Sequence, residues 1–203
     1  VARLTESGLA VSTLFLVRFL PQFFLSPFAG VLADRYDRRH IMIATDILRA
    51  LTVAAFLLVR SAEHVWIIYV LTAVQFSLSA VFTPARSAVL ANIVDRKDLV
   101  KANALDALTW SSMLALGAFV GGVVAAFFGT SVAFLADAAT FMLSALFISR
   151  IVLAPRPIKE SRPAGGWLEF VDGLRYMRGH RFALGISLVK AGGALAWGAI
   201  NVL

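Results

Sequence analysis

Gly30-Val31-Leu32-Ala33-Asp34-Arg35-Tyr36-Asp37-Arg38-Arg39 joins two long apolar runs, and five of its last six residues are charged. Gly30 has no side chain, so a neighbouring helix can approach its backbone closely near a membrane face. Asp34 stands at the end of a span. There a carboxylate can meet the positive N-terminus of another helix, or an arginine. Arg35, Arg38 and Arg39 can anchor to lipid phosphates or pair with acids. An ordinary basic loop accounts for the arginines but not for the glycine and aspartate.

Outward from this loop the chain is a series of apolar runs. A spanning helix needs about 20 mostly apolar residues. Six runs qualify, roughly Leu9–Ala33, Ile41–Val59, Val65–Leu90, Ala102–Phe128, Ser131–Val152 and Phe182–Leu203. They are continuous rather than alternating, and far longer than strands, so they are read as helices. Within hydrocarbon a helix satisfies its own backbone groups. Pro21, Pro27 and Pro84 lie within or near the ends of spans, where neighbouring helices or water can take up the freed carbonyls. The composition agrees. Of 203 residues, 60% are hydrophobic and 15% charged, with mean hydropathy +0.82. A soluble domain has about 25% charged residues.

The basic residues set an orientation. Cytoplasmic loops are enriched in Lys and Arg. Three basic residues fall in Asp34–His40, four in Arg86–Lys101 and seven in Arg150–Arg181, which is 14 of the 19 in the chain. The opposite set of loops holds only Arg3 and Arg60. The first set is therefore expected to be cytoplasmic. The net charge of +7 does not imply a nucleic-acid partner, because the cations are spread between apolar runs and not gathered on one soluble face. No cysteine is present, so disulfides and thiolate metal sites are excluded. The chain opens on Val1 and closes inside the run Ala194–Leu203, and both ends read as cut.

The organisation predicted is a helical unit over 1–152, a cytoplasmic linker over 153–181 and the start of a second unit over 182–203. Pro155, Pro157, Pro163, Gly165 and Gly166 mark the linker. Within it 167–178 reads as an amphipathic helix. Trp167, Phe170, Val171, Leu174 and Met177 form one stripe; Glu169, Asp172, Arg175 and Arg178 form another. Such a helix can lie in the membrane interface or pack on protein.

Gly30, Leu32, Asp34, Arg35, Arg38 and Arg39 match a loop signature of the major facilitator superfamily, G-x-L-a-D-R-x-G-R-R/K, between its second and third helices. The chain closely resembles that family. Asp37 stands where the signature has glycine. Phe82-Thr83-Pro84-Ala85-Arg86 with Ala102-Asn103-Ala104-Leu105 is similar to the exporter branch that includes enterobactin and macrolide efflux proteins. Gly117, Gly121 and Gly122 resemble the antiporter motif g-x-x-x-G-P-x-x-G-G, with Ala118 for its proline and Met113 for its first glycine. Taken alone, those glycines are a helix-packing face. The resemblance implies an all-α membrane protein, six helices of a truncated twelve-helix fold, in which Gly30, Asp34, Arg35, Arg38 and Arg39 form a gating motif.

Ionisable groups within spans cost a few kcal/mol to insert and so need a partner or a role. Asp46 and Arg49 are spaced to pair on one helix face, and Asp46 and Asp106 can be merely interfacial. Arg18 and Asp137 fall at similar estimated depths and are expected to touch, either as an ion pair or in substrate or proton handling. Lys190 can face a central cavity or snorkel to the surface. No enzyme motif is present: there is no G-x-S-x-G, H-E-x-x-H or phosphate loop. No cofactor or metal site is expected.

The resemblance implies a secondary transporter that exports a small amphiphilic molecule across a bacterial cell membrane. Its partners would be substrate, a proton or other coupling ion, lipids and the rest of its own chain. A lysophospholipid or lipid transporter of the same fold is the first alternative; a non-transporting scaffold or sensor is the second.

Overall fold

A computed structural model describes residues 8–59, 61–152 and 166–180, with 182, 184–186, 188, 189, 192 and 193 beyond them. Every regular element among them is helical: α1 (Gly8–Arg35), α2 (Arg38–Ala55), α3 (Val65–Ile93), α4 (Leu99–Phe128), α5 (Thr130–Ser149) and α6 (Gly166–Gly179). Short 3-10 turns at Phe56–Leu58, Ala62–His64 and Arg96–Asp98 link them.

Four helical segments are long and apolar enough to cross a membrane: Arg38–Leu58, Val65–Ile93, Arg96–Phe128 and Thr130–Ser149. α1 makes a fifth if its two arms, Leu16–Ser26 and Phe28–Arg35, count as one span bent by 53°. The bend falls at Pro27, which has no backbone N–H to continue the helix ladder. The sixth run, Phe182–Leu203, lies largely outside the described residues, as do the linker prolines.

The helices run further into the loops than hydropathy suggests. Arg38 and Arg39 belong to α2, Arg86 is inside α3 and Lys101 is inside α4. An apolar window ends where charge begins, but a helix ends only where its backbone bonds do. α4 turns into α5 through Gly129 alone, whose φ of 86° is a conformation that side chains disfavour.

α2 is central, packed against both α3 and α5, while α1 lies on α3 and α4 touches α5. The amphipathic α6 lies against α1. The buried core is at the basic end of the helices. Ala33 of α1, Ile41 and Met42 of α2, Ala85 and Val89 of α3 and Ile148 of α5 meet there. At the other end Phe56 stacks on Phe134, ring centroids 5.4 Å apart.

Candidate functional site

The signature loop is a turn of two residues, Tyr36 and Asp37, between α1 and α2. Asp37 starts α2. Its backbone is extended (φ −62°, ψ 116°), and its Oδ1 accepts from the N–H groups of Arg39 at 2.8 Å and His40 at 3.1 Å. That is an N-cap, which satisfies donors the first turn leaves unpaired. The residue that departs from the signature therefore has a structural task, and its φ does not require glycine.

Arg38 is only 9% exposed. Its Nε donates to the carbonyl of Ala33 at 3.0 Å, its Nη1 to that of Ala88 at 3.1 Å and its Nη2 to Asp34 Oδ1 at 2.9 Å. Arg39 donates from Nη2 to the carbonyl of Ser149, the last residue of α5. Two adjacent arginines thus reach the C-terminal parts of α1, α3 and α5. Helix C-termini carry unpaired carbonyls and partial negative charge, so cations fit there. Asp34 itself is 70% exposed. Arg35 is exposed and unpaired among the described residues. One step outward, Arg86 of α3 holds Asp106 of α4 with two bonds, 2.8 and 3.0 Å. This two-toothed geometry is the strong form of the arginine–carboxylate pair.

A second cluster lies deeper. Arg49 pairs with Asp46 Oδ1 at 3.2 Å and donates from Nη2 to Ser79 Oγ at 2.6 Å. Its guanidinium lies 4.7 Å from the Phe82 ring centroid and 5.2 Å from that of Phe141. Cations favour aromatic faces, most of all when water is absent. Asp46 is 1% exposed, and its Oδ2 has no partner. Asp137 is exposed on α5, one turn before Phe141.

The Major Facilitator Superfamily model matches residues 3–203. The chain belongs to the major facilitator superfamily. It is 31% identical over 189 residues to BacE of Bacillus subtilis (strain 168), named as a candidate bacilysin exporter; the match covers 93% of this chain and 47% of that protein. Macrolide efflux protein A of Streptococcus pyogenes is 34% identical over 102 residues, 48% of this chain and 24% of its own. The staphyloferrin A transporter of Staphylococcus aureus (strain NCTC 8325 / PS 47) is 29% identical over 133 residues, 64% of this chain and 33% of its own. The chain spans less than half the length of these curated relatives. No solved structure matches it. Members of this superfamily are multi-pass membrane transporters, not enzymes.

For a facilitator-family chain, some charges read from the sequence come together as expected and others do not. Asp34 with Arg38, and Asp46 with Arg49, form pairs. Arg18 and Asp137 do not. The Arg18 guanidinium lies 4.9 Å from the Phe76 ring centroid and 5.7 Å from that of Phe19, and no ion pair joins it to Asp137. The reason is adjacency: α1 packs on α3, whereas α5 packs on α2. The glycines stand clear of the described helices. A Cβ added at Gly30, Gly117, Gly121 or Gly122 would meet nothing within 4 Å. No described helix presses on them, because α4 has no buried residue and touches mainly α5. Lys190 lies outside the described residues. Ser79, Phe141 and the carbonyls of Ala88 and Ser149 are participants that the sequence reading missed, and Phe82 and Arg86 were singled out there only for the exporter resemblance, with no contact assigned. Only Arg86, a cation inside a helix facing the span of Asp106, left a signal that could have found it.

Proposed function

We propose that the protein exports a small amphiphilic molecule across the cell membrane, driven by a gradient of protons or another ion. Its access states would alternate as helical units rock about a site near the midplane. One observation carries this reading. The first turn of α2 ties the ends of α1, α3 and α5 into one unit through Arg38 and Arg39, while Asp34 and Arg35 stay exposed on it. A unit that moves as a body and presents exposed charges at its cytoplasmic edge suits a gate that contacts another part of the protein. The relatives named for bacilysin export and macrolide efflux favour export and a small organic cargo.

The test is flux of a panel of small amphiphiles in vesicles holding the full-length protein, with and without an uncoupler. Asp34→Asn should insert normally but transport less, by about tenfold if its charge contributes 1.4 kcal/mol to one access state. Normal flux in the variant, with unchanged accessibility of the loop, would remove Asp34 from the gate. Orientation is checked in the same membranes. The chain has no cysteine, so single cysteines placed over 94–98 and 153–165 give a clean signal. They should resist an impermeant reagent added to intact cells.

A further inference from the structure

We propose that Arg18, held against Phe76 and Phe19, binds the carboxylate of an amphiphilic cargo whose apolar body lies along Leu16, Phe19 and Phe23. The proposal rests on the transporter reading above and names the acidic group of its substrate class.

The first argument is where the cation sits. Arg18 is fifteen residues up α1 from Ala33, about 22 Å of helix. The hydrocarbon core is about 30 Å thick, so the side chain starts inside it. Arginine stays charged at any working pH. A charge in that setting is costly unless something offsets it.

The second argument is the counter-ion. α1 carries no acid before Asp34, and α3, the helix it packs on, carries none at all. Asp46 is taken by Arg49, and Asp106 by Arg86. Arg18 is exposed, and among the described residues its contacts are with aromatic rings and not with a carboxylate.

The third argument is how the guanidinium is held. It lies 4.9 Å from the Phe76 ring centroid on α3 and 5.7 Å from that of Phe19 on its own helix. Cations favour aromatic faces. An arginine turned to lipid extends toward the headgroups; this one reaches across to the neighbouring helix. Ring contacts spend none of its N–H donors on an acceptor oxygen. Those donors form a planar fork that takes a carboxylate with two bonds.

The fourth argument is the surface beside it. Leu16, Phe19 and Phe23 are three and four residues apart, so they share a face of α1, and all three are exposed. Phe23 meets Phe24 edge to face, centroids 5.5 Å apart. The stripe is about 10 Å long, the scale of a small organic body. One cation bordering an apolar, aromatic surface is the composition of a site for a small amphiphile.

The test is binding of two fluorescent probes, N-dansyl-leucine and N-dansyl-leucinamide, to the full-length protein in nanodiscs of phosphatidylcholine. They share one apolar body and differ by the carboxylate. The acid is expected to bind about tenfold more tightly than the amide. Arg18→Gln should bring the acid down to the amide and leave the amide unchanged. Arg18→Lys keeps the charge without the fork, so part of the preference should remain. Phe76→Leu keeps the arginine but removes the ring that holds it, and should shrink the preference severalfold. If Arg18→Gln fails to fold, these two variants carry the test, and a preference unmoved by both would overturn the proposal. So would wild-type protein that binds acid and amide alike, or neither. Equal loss of both probes in Arg18→Gln would make the residue structural, paired with a carboxylate elsewhere in the protein. A preference that disappears in phosphatidylglycerol nanodiscs would give the site to anionic lipid instead of cargo. Binding needs no gradient, so the two readings fail separately. Acid preference without flux strikes at the transport reading alone, and flux without acid preference at this one alone.

Discussion

α2 and α4 are both apolar enough to span a membrane, yet eight residues of α2 are buried and none of α4. Apolar content does not separate them. In lipid it cannot, since tails solvate an apolar face as well as a neighbouring helix does. What separates them is polar groups. α2 carries Arg38, Arg39, Asp46 and Arg49, each bonded to another residue, and Arg38, Arg39 and Arg49 reach other helices. α4 carries Asp106 as its one such tie. In this protein the polar residues mark the central helix.

The strongest way to break that comparison is to remove a tie from each helix. Arg38→Ala strips three bonds, to the carbonyls of Ala33 and Ala88 and to Asp34. Bonds to charged groups are worth about 1.5–3 kcal/mol each. Losing the group should cost at least ~3 kcal/mol, read as a fall in the thermal midpoint of the full-length protein in detergent. Phe119→Ala on α4, 71% exposed, should stay within about 0.5 kcal/mol. Equal losses would show that apolar packing, not polar ties, centres α2.

Next comes Arg49→Gln, which strands the carboxylate of Asp46. Breaking one side of a buried pair costs about 3–5 kcal/mol. Adding Asp46→Asn should recover most of the loss. A double variant no better than the single would mean that the two residues act separately, and the cycle's coupling term measures this directly.

These sites also show what the sequence could and could not convey. The spans were legible because each is one uninterrupted apolar run. Asp46 with Arg49 was legible because partners three apart share a helix face. Arg86 with Asp106, and Arg39 with Ser149, are 20 and 110 residues apart and meet only because particular helices adjoin. Depth along the membrane normal is one coordinate of three. It put Arg18 level with Asp137, but lateral packing set α1 against α3 and α5 against α2.

A smaller effect is expected where α4 is tied. Asp106→Asn loses the charge of a half-exposed pair, worth about 1 kcal/mol after screening. The readout that sharpens the comparison is local: hydrogen exchange of α4 near Asp106 should speed up while that of α2 is unchanged. If α2 loosens as well, α4 is more central than its exposure suggests.

The smallest change is the most discriminating for the loop. Asp37 caps α2 at the place where the family signature has glycine. Alanine there has neither a side-chain acceptor nor glycine's freedom, and loss of such a cap costs about 1 kcal/mol. Glycine also lacks the acceptor, but it lets water and the free backbone satisfy the first turn, and the penalty drops to a few tenths. Asp37→Ala should therefore lower stability measurably, and Asp37→Gly barely. The extended backbone at φ −62° suits any residue, so the order rests on solvation of the first turn and not on glycine's left-handed conformations. Should glycine prove as costly as alanine, the carboxylate must do more than cap α2, and its 3.4 Å approach to His40 would be the next contact to remove.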